Sequence, residues 1–581
     1  MPEYTAPTRD IMHALRVVGL ADLAKYSPYS EVTDDLVLAI MEEAGRLGSQ
    51  DLAPLNVQGD QKGCTLKNGH VTTFQDIKEF YIRYREGGWG TLPFPPAYGG
   101  QGLPWLVAAG VQEILQSANM AFALCPMLTQ GAIDLLHAHG TTEQKNLYLP
   151  KMISGEWTGT MNLTEPQAGS DLSLVKTRAV PHGDYYLITG TKIFITYGDH
   201  DLAENIIHMV LARLPNSPEG AKGLSLFLVP KKIVQPDGHL GPYNDVVCTG
   251  LEHKLGIHAS PTAVMTFGEQ DGAIGWLVGK AHDGLACMFT MMNNARLTVG
   301  LQGYAVAERA YQHAARYARE RLQSQSIKNP SQGPVVIIQH PDVQRMLMTM
   351  KARVHAARLL TFYAIMAYDR SLAEKDRATG TQHTARTSLL TPLVKIWGTD
   401  AGVEVTGIAL QVFGGMGYIE ETGAAQFYRD ARIGPIYEGT NGIQAIDFVG
   451  RKVRKDQGAE MKRLINDLRC LTQKCSKDFH TPLTRALNSL ETVTSWALSA
   501  TLRDAYAGAY AYAHHAAITI SATLSAFSAA HDCVHNDPLA SKTYHTLSQH
   551  FIESTLPHVH AFEQTIQNGA KAFDVLPEEA F

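Results

Sequence analysis

"YYLITGTKIFIT", residues 185–196, decides the architecture. Tyr, Ile, Thr and Phe dominate it, the residue types that suit a pleated, half-buried surface and crowd a helix. "NIIHMVLARL" (205–214) and "GLSLFLVP" (223–230) repeat that texture, with Gly, Asp and Pro between the runs. No helix-length pattern alternates with them. An antiparallel sheet or barrel is therefore expected over 161–275 rather than parallel βαβ units.

Helical patterns flank this region on both sides. Up to residue 160 the one conspicuous break is "TLPFPPAYGGQGLP" (91–104), where Pro and Gly forbid a continuous helix. The Ala/Leu-rich run 105–140 then has apolar residues three and four apart and stops at Gly140. From 303 to 323, Ala307, Ala310, Tyr311, Ala314 and Ala318 form one stripe, and arginines crowd the end of the run, where cations complement the helix dipole. A polar loop (324–334) interrupts, and residues 340–370 and 389–415 resume the bundle. An Ala- and His-rich helical segment follows to the C-terminus. The expected fold is α+β and multidomain: a helical N-terminal domain (1–160), a middle antiparallel β domain (161–275), a C-terminal helical bundle (276–450) and an additional helical domain (451–581).

Composition narrows the function classes. The 581 residues are 45% hydrophobic and 18% charged, as in a globular protein with a large core. A net charge of −6 offers no global basic field, so no nucleic-acid partner is expected. "AAITISATLSAFSAA" (516–530) is too short and too rich in Ser and Thr to span a bilayer and reads as a buried helix. With no membrane span and no secretory signal in "MPEYTAPTRDIMHALRVVGL", a cytoplasmic location is expected. The seven cysteines, at 64, 125, 248, 287, 470, 475 and 533, form no CxxC and read as reduced core thiols. The tail histidines (514, 515, 531, 535, 545, 550, 558 and 560) make no metal spacing with Cys533, and His137 and His139 read as a helix end, so no metal is expected. Dinucleotide, P-loop, zincin and serine-elbow motifs are all missing.

Two stretches carry chemistry. "MNLTEPQAGSDL" (161–172) places Thr164, Ser170 and amides freed by Gly169 in a Pro-broken loop, donors that suit a polar ring edge or a pyrophosphate. Alone, such a stretch is more often an interdomain turn. "GPIYEGTNGIQ" (434–444) sets Glu438 between an aromatic ring and small residues that let backbone come close to a ligand.

Together the two stretches resemble the acyl-CoA dehydrogenase family. "PPAYGGQGLP" (95–104), "KIFIT" (192–196) and "QVFGGMGYIEE" (411–421) resemble further family segments in the right order, with Gln411 lying 27 residues before Glu438. The likeness runs from about residue 40 to 450. "HKLGIHASPTAVMTF" (253–267) and "YEGTNGIQAIDFVGRKV" (437–453) resemble the long subfamily that includes 3-methylmercaptopropionyl-CoA dehydrogenases and carries extra C-terminal helices.

The resemblance implies FAD as cofactor and removal of an α proton and a β hydride from an acyl-CoA, giving a trans-2-enoyl-CoA. It implies that Met161, Leu163, Thr164 and Ser170 line the flavin pocket, that Phe194 stands where the family usually has Trp, and that Thr196 bonds near flavin N5. Ser170 also reaches the thioester arm, Arg296 the CoA moiety, and Tyr437 and Gly439 wall the substrate. Arg321, Gln411, Gly415 and Thr440 complete the cofactor set, in part across a subunit interface. Glu438 is the base: in an apolar cleft desolvation raises a carboxylate's pKa toward neutrality and strengthens it as a base. An electron-transfer flavoprotein and a homodimer are the implied partners. Two alternatives stay open, an acyl-CoA oxidase and a non-catalytic acyl-CoA-binding protein on the same scaffold. Gly442 departs from the family, where many relatives have Gln.

Overall fold

Residues Tyr185–Thr196 are a single strand at the centre of the middle sheet in a computed structural model that describes residues 3–328, 330–531, 537–573 and 575–580. Cys533 and His535 lie outside the described residues. The sheet contains β1 (Trp157–Asn162), β2 (Arg178–His182), β3 (Tyr185–Thr196), β4 (Asn205–Arg213), β5 (Leu224–Pro230), β6 (Val246–Leu251), β7 (Thr262–Phe267) and β8 (Ala273–Val278). Its order is β6-β7-β3-β8-β5-β4-β1, with β2 pairing with β3 and β4. Alternate residues of these strands, among them Ile188, Val210, Phe227, Met265 and Phe267, close into one buried apolar cluster.

The expectation of a purely antiparallel domain needs correcting at one edge. β1 and β4 run parallel from Trp157↔Asn205 to Asn162↔Val210, and β2 touches β4 in parallel at Arg178↔Arg213. Parallel neighbours need a long crossover. Here the hairpin β2–β3 supplies it in place of a helix, so the missing helical pattern did not exclude a parallel pair.

The chain divides into two compact units, one made of Met1–Ser49, Trp105–Ser117 and Arg296–Phe581, the other of Gln50–Pro104 and Ala118–Ala295. The run expected as one helix over 105–140 is two, Trp105–Ala118 and Met120–His139, and the division falls at their junction. Asn119 makes the break. Its extended backbone stops one helix, and its side chain accepts the Phe122 N–H at 3.1 Å to cap the next. Asn119→Ala is expected to cost about 1 kcal/mol in chemical denaturation without changing the fold.

In the first unit the helices that matter for chemistry are α1 (Gly284–Glu320) from Arg296 onward, α2 (Pro341–Ala373), α3 (Arg377–Phe413), α4 (Ala424–Ala431) and α5 (Asn441–Asp447). The stripe Ala307, Ala310, Ala314 and Ala318 is buried, as its spacing requires. Between α1 and α2 the segment read as a polar loop contains a small hairpin, Leu322–Gln325 with Pro334–Val336. The tail adds α6 (Ala459–Thr472), α7 (Lys477–Ser499), α8 (Ala509–Ala530), α9 (Pro538–Ser554) and α10 (His558–Asn568). α8 is the buried helix expected at 516–530, and it packs against α2 and α3 of the bundle within the same unit. Among the described residues no helix is long and apolar enough to cross a membrane, and no group of three His, Cys, Asp or Glu is placed to hold a metal ion.

Candidate active site

Glu438 sits in the loop between α4 and α5 with φ +56°, followed by Gly439 at φ +83°. A non-glycine residue in the left-handed region is strained by roughly 1–2 kcal/mol and persists only where its surroundings over-determine it. They do so here. The Glu438 carbonyl accepts from Arg296 Nε at 3.3 Å and from Gln444 Nε2 at 3.2 Å, and the Gly439 carbonyl accepts from Lys395 Nζ at 2.9 Å. Glycine suits position 439 because φ +83° is a conformation that side-chain-bearing residues rarely adopt, and a Cβ there would also crowd Gln444 Nε2 at 2.6 Å.

Lys395 is fully buried on α3 and also donates to Asn441 Oδ1 at 2.8 Å. Asn441 Nδ2 in turn donates to Thr399 Oγ1 at 3.0 Å and to Asp400 Oδ1 at 2.8 Å. Tyr437 donates its hydroxyl to Gln302 on α1. Three side-chain donors thus fix the loop backbone at Glu438 and Gly439. Burial pushes the Glu438 carboxyl up to about 7, against the opposing pull of Arg296 and then Lys395. Burial likewise brings Lys395 down to about 7, although Asp400 and Glu438 favour its charged form. A carboxylate poised near neutrality on a rigid loop is equipped to take up a proton at neutral pH.

A second cluster lies in the other unit. β1 ends at Asn162 and the chain turns back beside the end of β3, where Ile193 N donates to Thr164 O at 2.9 Å. Lys192, fully buried, donates to Leu163 O at 3.0 Å and to Glu165 Oε1 at 2.8 Å. Glu165 also accepts from Thr177 Oγ1, Thr177 N and Lys176 N. Burial alone would raise the Glu165 carboxyl, but Lys192 and these donors outweigh it and hold it at about 2. The pair is ionic. Against β7 the register slips between Ala263↔Ile195 and Met265↔Lys192, so β3 carries an extra residue, a bulge at Ile193–Phe194. Phe194 there has φ +60° and its ring is 58% exposed. An aromatic held out of the sheet at the cost of strain marks a surface built to meet something.

The residues expected at a site fall into three groups. Met161, Leu163, Thr164, Phe194 and Thr196 gather at the bulge, with Ser170 exposed further along the same loop. Arg296, Tyr437, Glu438 and Gly439 gather at the loop before α5. Arg296 faces that loop and is only 7% exposed; a buried guanidinium must find acceptors, and the Glu438 carbonyl is one. Thr440, expected on the cofactor, caps α5 by accepting the Ile443 N–H. Arg321, Gln411 and Gly415 form the third group, exposed at one end of the bundle where Tyr317 stacks on Phe413 at 4.3 Å. Glu165, Lys192, Lys395, Asp400 and Asn441 were not anticipated as functional. Asn441, read as a small residue clearing space, is instead buried and anchors the loop. The available signal was Lys395 itself, a lone cation between Leu393, Val394, Ile396 and Trp397.

Comparison with known proteins fits this order of helices, sheet and helices. The family models for the N-terminal, middle and C-terminal domains of acyl-CoA dehydrogenases match residues 64–156, 160–269 and 282–453. The chain is 49% identical to 3-methylmercaptopropionyl-CoA dehydrogenase of Ruegeria pomeroyi, over 82% of this chain and 80% of that protein. It is 36% identical to a butyryl-CoA dehydrogenase of Syntrophomonas wolfei, over 80% of this chain and 78% of that one. Among solved structures, an acyl-CoA dehydrogenase complexed with FAD from Bacillus anthracis shares the fold, with a TM-score of 0.76 and 21% identity over 92% of this chain and 89% of that one. An oxidoreductase is the class that fold and relatives define. The chain belongs to the acyl-CoA dehydrogenase family.

Proposed function

We propose that this protein is an FAD-dependent acyl-CoA dehydrogenase in which Glu438 removes the α proton of an acyl-CoA thioester. The observation that carries this reading is a carboxylate raised to about 7 on a loop fixed by Arg296, Gln444 and Lys395. An α C–H beside a thioester is a weak acid, so its removal needs a base of matched pKa held in place, a donor for the enolate oxygen and exclusion of water. Glu438 supplies the base, and its own N–H is the proposed donor to the thioester oxygen. Tyr437, anchored to Gln302, is the proposed wall beside the acyl chain, and Arg296 orients the base by its hold on the Glu438 carbonyl.

The bulge cluster suits FAD. Thr164 and Thr196 offer hydroxyls, Met161, Leu163 and the exposed Phe194 ring offer apolar surface, and Gly169 has nothing within 4 Å of where a Cβ would be. FAD, when bound, supplies the two-electron acceptor for the β hydride. Ser170 is proposed to contact cofactor and thioester arm alike and Thr440 to meet the cofactor from the loop beside Glu438, while Arg321, Gln411 and Gly415 are proposed to meet the cofactor of a second copy in a homodimer. The acyl group proposed is 3-methylmercaptopropionyl, on the 49% identity to the Ruegeria enzyme. The enzyme is proposed to work in the cytoplasm and to pass its electrons to an electron-transfer flavoprotein.

The test is anaerobic bleaching of the FAD-loaded protein by a panel of acyl-CoAs. Bleaching by 3-methylmercaptopropionyl-CoA at least as fast as by butyryl-CoA is expected. Faster reduction by butyryl-CoA would remove the substrate assignment and leave the reaction standing, and no bleaching by any acyl-CoA would remove the reaction. Turnover with an electron-transfer flavoprotein or dye should exceed turnover with oxygen, whereas rapid peroxide formation would assign an oxidase.

A further inference from the structure

Asp400, on α3, joins the base loop to the C-terminal helices. Its Oδ1 accepts from Asn441 Nδ2 at 2.8 Å, and its Oδ2 accepts from the Tyr510 hydroxyl at 2.5 Å and from His514 Nε2 at 2.9 Å, both on α8. An ionised carboxylate only accepts, so His514 must carry its proton on Nε2. Burial raises the Tyr510 hydroxyl's pKa, as do its hydrogen bond to Asp400 and the charge there, so it remains a donor. His514 is held in turn between the Trp397 edge, at 6.1 Å, and the Phe562 ring, at 5.9 Å. From Asp400 the chain of contacts runs through Asn441 to Lys395 and ends on the Gly439 carbonyl, the residue after Glu438.

Lys395, Asn441 and His514 are 0%, 5% and 8% exposed, so water cannot readily replace a partner lost among them, whereas Tyr510 is 45% exposed and the Asp400 side chain 22%, so water reaches that end of the chain of contacts. Glu438 holds a strained backbone conformation, which relaxes when any of the groups fixing it is released. We propose that Tyr510 and His514 are positioning residues for Glu438, acting through Asp400, Asn441 and Lys395, so that the C-terminal helices help to aim the base. This rests on Glu438 being the base.

The experiment compares wild type with Tyr510→Phe/His514→Leu as FAD-loaded full-length proteins, using as reductant whichever of 3-methylmercaptopropionyl-CoA and butyryl-CoA bleaches the wild type faster. The limiting rate of flavin reduction should fall about tenfold, while the half-saturating acyl-CoA concentration stays within about twofold and FAD content is unchanged. Amide hydrogen exchange over 438–443 should quicken about tenfold with little change elsewhere. Tyr510→Phe/His514→Gln, which restores an N–H donor, should recover rate and exchange to within about threefold of wild type. Wild-type rate and loop exchange in the Leu variant overturn the proposal, as does a rate loss that only follows lost FAD with loop exchange unchanged. If the Leu variant does not fold, Tyr510→Phe alone decides: loop exchange about threefold faster supports the link, and unchanged exchange ends it. Glu438→Gln run alongside separates the two ideas, since wild-type bleaching by that variant removes the base assignment while loop exchange still judges the link.

Discussion

Glu438→Gln should slow anaerobic flavin reduction by an acyl-CoA about 10³-fold, within the span usually lost with a general base. The amide keeps the size of the carboxylate and cannot take up the proton. The loop is fixed by backbone carbonyls rather than by the Glu438 side chain, so FAD content and acyl-CoA binding should change little. The same argument sets a pH profile. The base works as the anion, and burial holds its pKa at about 7, so in the wild type the rate should fall about tenfold per pH unit below pH 7 and level off above it. Glu438→Gln should lack that limb. Stopped-flow bleaching from pH 5.5 to 8.5 reads both. A Gln variant that bleaches within threefold of wild type would remove Glu438 as the base, and a wild-type limb near pH 4.5 would mean that the carboxylate is as solvated as in a free peptide.

What the sequence made legible was local. The β-branched texture of 185–230 declared the sheet, the alanine stripe on α1 declared its buried face, and Glu438 drew a catalytic reading only through the resemblance that its stretch shares with the other segments. Residues acting over long separations stayed hidden. β1 reads "WTGTMN", too short and too polar to announce a strand, and its parallel pairing depends on where the β2–β3 hairpin leaves the chain. Lys395 was visible as an odd cation, but its partners at 439 and 441 come from a different element. His514 stands in the sequence only as one of the tail histidines that make no metal spacing. Its carboxylate partner is 114 residues away, at a separation no periodicity reports.

Lys192→Met should destabilise the protein by about 3–5 kcal/mol in urea denaturation, because it strips the ion-pair partner from a carboxylate that is itself 3% exposed. Glu165 would keep its bonds from Thr177 and Lys176, but the charge that outweighs its burial would be gone and its pKa would climb. The sign of the pH dependence follows. In the wild type Glu165 is held at about 2, below the ordinary 4.5, so its contribution is full above pH 4.5 and is lost as pH falls toward 2. In the variant the buried anion is the liability, so the deficit against wild type should be largest at neutral and higher pH and shrink as acid neutralises Glu165. Lys192→Met/Glu165→Gln removes both charges, leaves an amide oxygen to accept from Thr177 and Lys176, and should regain most of the stability, since no unpaired charge stays buried. It should not regain the cofactor. Lys192 also holds the Leu163 carbonyl at 3.0 Å, and nothing in the double variant replaces that anchor for the loop carrying Thr164 and Ser170. Restored stability with weakened FAD retention is therefore the expected pair of results. A double variant that is stable and fully flavinated would show that the ion pair serves stability alone, and that Ile193, bonded to the Thr164 carbonyl, suffices to place the loop.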